Sequence, residues 1–261
     1  MADWIRLRRI ALPFATAFFL SIRTVASDAI LEDIVRQGYD LSPTATVSVR
    51  NTDGRIFIYG SSDDRLEIMA LRRALSKERL EAIKIAVSIE NDVAVIDTIY
   101  PPASKGLLAD RSGTVDYVIC VPQRCTLAKV ELARGEVLIE GISGERIEAR
   151  LGRGRLHVRN CFSAVRVSVG EGRLDAFFGW WNGGAFSLRA ETEHGELRVA
   201  LPRGAALQVN AEATRGRVVD RYADSAQRNQ GRILKMKIGG DSPVEFHLRT
   251  TEGNIELERA Y

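Results

Sequence analysis

Seven times along this chain a Gly sits between charged or polar neighbours, with apolar residues at alternate positions on either side. The segments are Asp53-Gly54-Arg55-Ile56, Arg134-Gly135-Glu136-Val137, Arg153-Gly154-Arg155-Leu156, Glu171-Gly172-Arg173-Leu174, His194-Gly195-Glu196-Leu197, Arg215-Gly216-Arg217-Val218 and Glu252-Gly253-Asn254-Ile255. Successive members of the central five Gly residues, Gly135 to Gly216, are 19, 18, 23 and 21 residues apart. A recurring period of this length belongs to repeat architectures, in which one unit cannot bury its apolar face alone.

Counting from each Gly tests the repeat. Seven residues before stand Val47, Ala128, Ile147, Val165, Leu188, Val209 and Phe246; five before stand Val49, Val130, Ala149, Val167, Ala190, Ala211 and Leu248. Two after stand Ile56, Val137, Leu156, Leu174, Leu197, Val218 and Ile255. Four after, Asp220 is the one charged residue. A period of two on each side means two short strands, each with one buried face. The inward parity is odd before the Gly and even after it, so the chain bends there, which suits a residue without Cβ.

One such unit buries too few side chains to offset the ordering of some twenty residues. Neighbouring units must pair their backbones around a common core. The pattern therefore predicts an all-β chain: a β-solenoid, or stacked coils with parallel ladders, over residues 115–258. An antiparallel β-sandwich or roll, with a hairpin at each Gly, is the alternative. Two-residue hairpins favour Asn-Gly or Asp-Gly, and only Asp53-Gly54 fits.

The first residues read as a leader. Arg6, Arg8 and Arg9 precede an apolar run from Ile10 to Ile22, followed by Val25-Ala26-Ser27. This is the layout of a secretory signal over residues 1–27, and the run is short for a membrane span. An uncleaved anchor is the other reading. The chain's +3 charge lies in this leader, so the mature chain is near neutral and its charge gives no argument for nucleic-acid binding. A lead-in over residues 28–45 and one β domain over 46–261 are expected. Ala29 to Val35 suits a short helix, and Ser76 suits the N-cap of another near residues 76–83. Ile83, Ile85, Val87 and Ile89 alternate, as do Val93 and Val95 after Asn91-Asp92. Residues 101–113, with Leu107-Leu108, read as a loop. The last interval, Gly216 to Gly253, spans 37 residues and implies an enlarged coil, with Ala223–Gly231 as a loop and Ile233–Ile238 as an added strand.

Three Cys, an odd number, leave at least one free in an oxidising compartment. Cys120 and Cys125 flank Val121-Pro122-Gln123-Arg124 and could bridge it; buried unpaired thiols are the other reading. Cys125 and Cys161 would sit two coils apart, beyond disulfide reach.

Three stretches together carry a resemblance: Val47-Ser48-Val49-Arg50-Asn51-Thr52-Asp53-Gly54, then Asp116-Tyr117-Val118-Ile119-Cys120-Val121-Pro122, and last Val244 to Ile255 around Glu252-Gly253. With the Gly coils between them, residues 45–258 resemble the bacterial "putative adhesin" family of unknown function (the DUF4097 type, near the head domain of auto-transporter adhesins). The resemblance implies an exported β-solenoid-like domain with an adhesive or interaction role. It carries over no catalytic residue. The insertion from Phe177 to Phe186 departs from the simple coil.

That insertion is one candidate site. Phe177, Phe178, Trp180 and Trp181 lie within five residues, and adjacent Trp rings cannot both face inward from a strand. An exposed Trp suits sugar stacking or a protein contact, while a cap over the core is the plainer role. In-register stacking would also line up Arg134, Arg153 and Arg215 along one edge beside Glu171 and His194, with Arg155, Arg173 and Arg217 adjacent, a locally basic ridge for anionic glycans or headgroups, unless these are only a solvated edge. His157, His194 and His247 are scattered, so no metal or cofactor is expected. The function expected is a non-catalytic, exported binding or structural module in the periplasm or at the surface, with a glycan or envelope protein as partner. A carbohydrate-active β-helix enzyme and a scaffold self-associating through solenoid ends are the alternatives.

Overall fold

The structure is a computed structural model that describes residues 30–102, 112–222 and 230–260. The leader, Leu107-Leu108 and most of Ala223–Gly231 lie outside the described residues. Strands are β1 (Leu31–Asp40), β2 (Thr46–Ser61), β3 (Arg65–Ala74), β4 (Lys84–Glu90), β5 (Val93–Ile99), β6 (Thr114–Pro122), β7 (Thr126–Glu140), β8 (Arg146–Arg159), β9 (Ala164–Phe177) and β10 (Ser187–Leu201). They continue with β11 (Leu207–Arg215), β12 (Val218–Asp220), β13 (Gln230–Gly231), β14 (Ile233–Ile238), β15 (Glu245–Glu252) and β16 (Ile255–Arg259). The helix described is α1 (Lys77–Ala82), capped by Ser76 as expected, whose side chain accepts from Arg79 N–H. All strands join in one open, mixed sheet.

Long strands run without interruption through the Gly positions. β7, β8, β9 and β10 pair in parallel, with Gly135, Gly154, Gly172 and Gly195 in one column and Gly54 of β2 at its head. Inward parity switches at the column: Ile147, Ala149 and Leu151 point into the core before Gly154, and Leu156 and Val158 after it. The sheet is thereby creased into two wings around one core. The return turns also stack: Ser143 N–H donates to Gln123 O, Phe162 N–H to Ile142 O and Ser187 N–H to Ser163 O.

Close approach explains the glycines better than the bend alone. A Cβ on Gly154 would lie 1.9 Å from Gly135 O, and one on Gly172 1.9 Å from Gly154 O. Both residues have φ +133, a region L side chains rarely enter. Backbone packs on backbone down the crease, and side chains there would force the strands apart.

The order along the column is not the order in the sequence. Gly253 sits against Gly195 O, and Gly216 against Gly253 O. The last unit, β15–β16, is wedged between β10 and the β11–β12 unit that precedes it in the chain. The long 37-residue interval provides this reach: β14 pairs antiparallel with β11 before the chain returns.

Both ends of the stack carry antiparallel strands. One wing ends in the β4–β5 hairpin and in β14, the other in β3 with β1 and in β13. The sheet edges are thus antiparallel strands rather than bare parallel coils. At the β2 end, β5 and β6 share the place of one coil: β5 pairs with the first half of β2 and β6 with the second. Asn51 plugs the seam, donating to Val115 O at 2.8 Å and accepting from Tyr100 Oη at 2.8 Å.

Four expectations are corrected. Residues 31–35 form an edge strand, not a helix, because β1 pairs with β3 along its whole length. Leu127, not Ala128, fills its core column, because a bulge shifts the register between Leu127 and Val130. Ala94 and Ile96 face in from β5, not Val93 and Val95, because β5 aligns them with Val47 and Val49. The Cys120–Cys125 bridge is not made: all three thiols are free. Ile119 and Val121 turn inward, so Cys120 points out, while Cys125 is buried in the core.

Candidate functional site

The aromatic insertion divides between core and surface. Phe178 and Phe186 are buried, and Phe246 from β15 packs on Phe178 with ring centroids 5.4 Å apart. Trp181 lies 5.1 Å from Phe186 and is partly buried. Trp180 turns the other way, 57% exposed, with one face against Phe162 at 5.7 Å. Asn160 Oδ1 accepts from Gly179 N–H at 2.8 Å and fixes the entry to the loop. Phe177 is not part of this cluster: it points to the outside of the second wing under the Arg159 guanidinium, 5.6 Å away. Of the four aromatic candidates, Phe178 is therefore a core residue, Trp181 a support and Trp180 the exposed ring. A ledge of this kind offers one flat apolar face held on a rigid base.

The charges beside the glycines do not form one continuous basic ridge. Across the strands, the row before the Gly column runs Asp53, Arg134, Arg153, Glu171, His194, Glu252 and Arg215. Arg134 meets Asp53 at 2.7 Å, Arg153 Nε meets Glu171 at 2.8 Å, and Arg215 pairs with Glu252. In the row after the column, Glu136 separates Arg55 from Arg155, and Glu196 follows Arg173. Arg173 turns to Asp175 at 2.7 Å, and Arg217 lies beside Asn254, whose side chain accepts from its N–H. Register sets Arg134 beside Arg153 and Arg155 beside Arg173, with Asp53 and Glu171 flanking the first pair and Glu136 and Glu196 the second. The row before the column is balanced by Asp53, Glu171 and Glu252, whereas the row after it keeps more arginines than carboxylates. Arg155 and Arg217 remain exposed and without an ion pair among the described residues.

His157 stands between Glu136 and Asp175, each 3.5 Å away. Burial lowers its pKa from the ordinary value, against the pull of the two carboxylates. Burial also pushes the Cys125 and Cys161 thiols up to about 12, so both are inert at neutral pH. Among the described residues no three His, Cys, Asp or Glu side chains gather as a metal site, and no helix is long and apolar enough to cross a membrane.

One surface was not visible in the sequence. Residues six and four before the Gly column face outward on the first wing and form a charged grid over β8, β9, β10, β15 and β11. The signal that could have found it is the column of Glu148, Arg166, Arg189 and His247 at one repeat offset, which required the swapped order of the last two units.

No family model and no curated protein matches the chain. Among solved structures, a "putative cell adhesion protein" from Clostridium sporogenes aligns with a TM-score of 0.55 at 15% identity, covering 89% of this chain and 100% of that one. This likeness establishes the shared fold. A "putative adhesin" from Bacteroides fragilis aligns at a TM-score of 0.31 and 11% identity over 86% of this chain and 97% of its own. A "putative lipid binding protein" from Parabacteroides distasonis aligns at 0.24 and 8% identity over 88% and 97%. These two are too distant in shape to carry an argument.

Proposed function

We propose that this chain is a non-catalytic, exported module of the cell envelope, an adhesin-like β-solenoid that binds a glycan or an envelope protein. The observation that carries the reading is the glycine column. Seven strand units in register around one core make a stiff wall, and stiffness suits a protein that presents surfaces rather than closing around a substrate. The stacked return turns support the solenoid description, as they give each coil a third side. The resemblance of residues 45–258 to the adhesin-like family, and the likeness to the Clostridium sporogenes protein, point the same way. Trp180 is the contact point in this reading, because its ring is exposed and its base is locked by Phe162.

The test uses the mature chain on immobilised envelope glycans, peptidoglycan and envelope extracts. Trp180→Ala should weaken capture by roughly tenfold with little change in thermal stability, as expected of an exposed anchor. Capture that is indifferent to Trp180 would remove the ledge from the proposal. Incubation with a polysaccharide panel should release no product; turnover abolished by a single carboxylate substitution would replace a binding module with an enzyme.

A further inference from the structure

The outer face of the first wing bears charges that the Trp180 contact does not use. Across β8, β9, β10 and β15, one row reads Glu148, Arg166, Arg189 and His247, and the next reads Arg150, Ser168, Glu191 and Arg249. Ser168 is short, and the surface dips between its longer neighbours. Three depressions of about 280, 300 and 350 Å³ follow one another across the strands and share Glu191.

The ion pairs on this face are unevenly spent. Arg146 takes Glu148 at 3.6 Å, Arg189 takes Glu191 at 3.1 Å, and His247 lies 3.4 Å from Glu245. Arg150, Arg166 and Arg249 are exposed and make no ion pair among the described residues. Glu212 stands beside Arg249 in register without closing on it. Three guanidinium groups with their forks free thus line a trough whose floor is small.

We propose that this trough binds a linear acidic glycan laid across the strands, its carboxylate or sulfate groups taken by Arg150, Arg166 and Arg249. A guanidinium fork matches such groups with two parallel hydrogen bonds. Ser168 and Glu191 between them offer acceptors for sugar hydroxyls. Strands repeat about every 4.8 Å, so a polymer crossing them meets an equivalent row at each step. Glu191 lies between the Arg150/Arg166 pair and Arg249, so a chain charged at every unit would set an anion against it, while a chain with charge on alternate units can place a neutral sugar there. A densely charged nucleic acid therefore fits poorly.

This proposal deepens the reading of the chain as a binding module but does not depend on the Trp180 ledge. The experiment measures binding of the mature chain to hyaluronan, which carries a carboxylate on alternate sugars, with neutral dextran and single-stranded DNA as controls. Hyaluronan should bind roughly tenfold or more tightly than either control and weaken as salt rises. The Arg150→Ala/Arg166→Ala double variant should lose about tenfold with an unchanged unfolding midpoint, both side chains being exposed and unpaired. Glu191→Gln should bind more tightly, since it frees Arg189 and removes a repelling charge. Equal binding to dextran, tighter binding to DNA, or a double variant that binds like the parent would each overturn the proposal. If Trp180→Ala abolishes capture of envelope glycans while the arginine variants do not, the ledge stands and the trough falls; with the opposite pattern the trough stands and the ledge falls.

Discussion

The stretch from β7 to β10 and the stretch from β11 to β16 are built from the same creased unit, yet they enter the sheet differently. The first adds one strand after another, each Gly landing on the one before it in the chain. The second places its final unit between β10 and β11, so that Gly253 precedes Gly216 in space. Local pattern decides that a segment becomes a creased strand and which face it buries. It does not decide who its neighbours are, because β15 and β11 follow the same inward alternation, with Phe246 and Leu248 on one and Val209 and Ala211 on the other. The detour through β14 and the fit of Phe246 into the aromatic corner accompany the inserted order, in which Phe246 sits against Phe178, Trp181 and Phe186.

The strongest way to break this comparison is at the feature both stretches share. Gly172→Ala puts a Cβ 1.9 Å from a backbone oxygen at φ +133 and should cost at least about 3 kcal/mol, read from chemical denaturation, or prevent folding. A variant that unfolds like the parent would show that the column does not need glycine. The inserted order is tested next by Phe246→Ala. Its ring is fully buried, and its loss should cost about 3–5 kcal/mol if β15 is wedged beside the aromatic corner. A loss below about 1 kcal/mol would mean that β15 lies elsewhere.

His157 probes the first stretch alone. Its folded pKa lies below the ordinary 6.5 through burial, so folding favours the neutral ring. Between the two values the unfolded chain holds more protons, and stability therefore falls as pH drops from about 6.5 toward the lowered value. His157→Gln should flatten that slope in denaturation midpoints taken from neutral pH to about pH 5, leaving the slope from other groups. The smallest effect belongs to Glu252, which faces both Arg215 and His194 at the permuted junction. The pair with Arg215 is solvent-exposed, so Glu252→Gln should change stability by no more than about 1 kcal/mol, and less at high salt. A much larger loss would mean that this charge row, rather than the core, holds the last unit in place.

The sequence made the creased strand legible because a switch in parity at a Gly is a local property. Ile147, Ala149, Leu156 and Val158 declare their faces within one unit. It was less informative where one residue of register matters. The bulge at Ala128 moves the core column to Leu127, and in β5 the smaller Ala94 is buried while Val93 stays exposed; both follow from alignment with β2, a partner far away in the chain. For the candidate sites the lesson is sharper. The aromatic run was visible, but which of two adjacent tryptophans faces water depended on Phe162 and Phe246, which come from other units. The arginines beside the glycines were visible too. The carboxylate partners of Arg134, Arg153 and Arg215 lie one strand away, at 18 to 81 residues' distance along the chain, while Arg173 meets Asp175 on its own strand.

Composition and periodicity alone determined that this chain is β-rich, that its strands crease at the glycines and, apart from Ala128 and the β5 positions, which side chains turn inward, because alternation along a strand needs no knowledge of neighbours. Only the tertiary structure decided the spatial order of the last two units, the antiparallel strands at the sheet edges, the neutral charge row beside the crease and the free guanidinium groups over Ser168. Each of these depends on which strand lies beside which, and hydrogen bonding between backbones is blind to the residues that carry it.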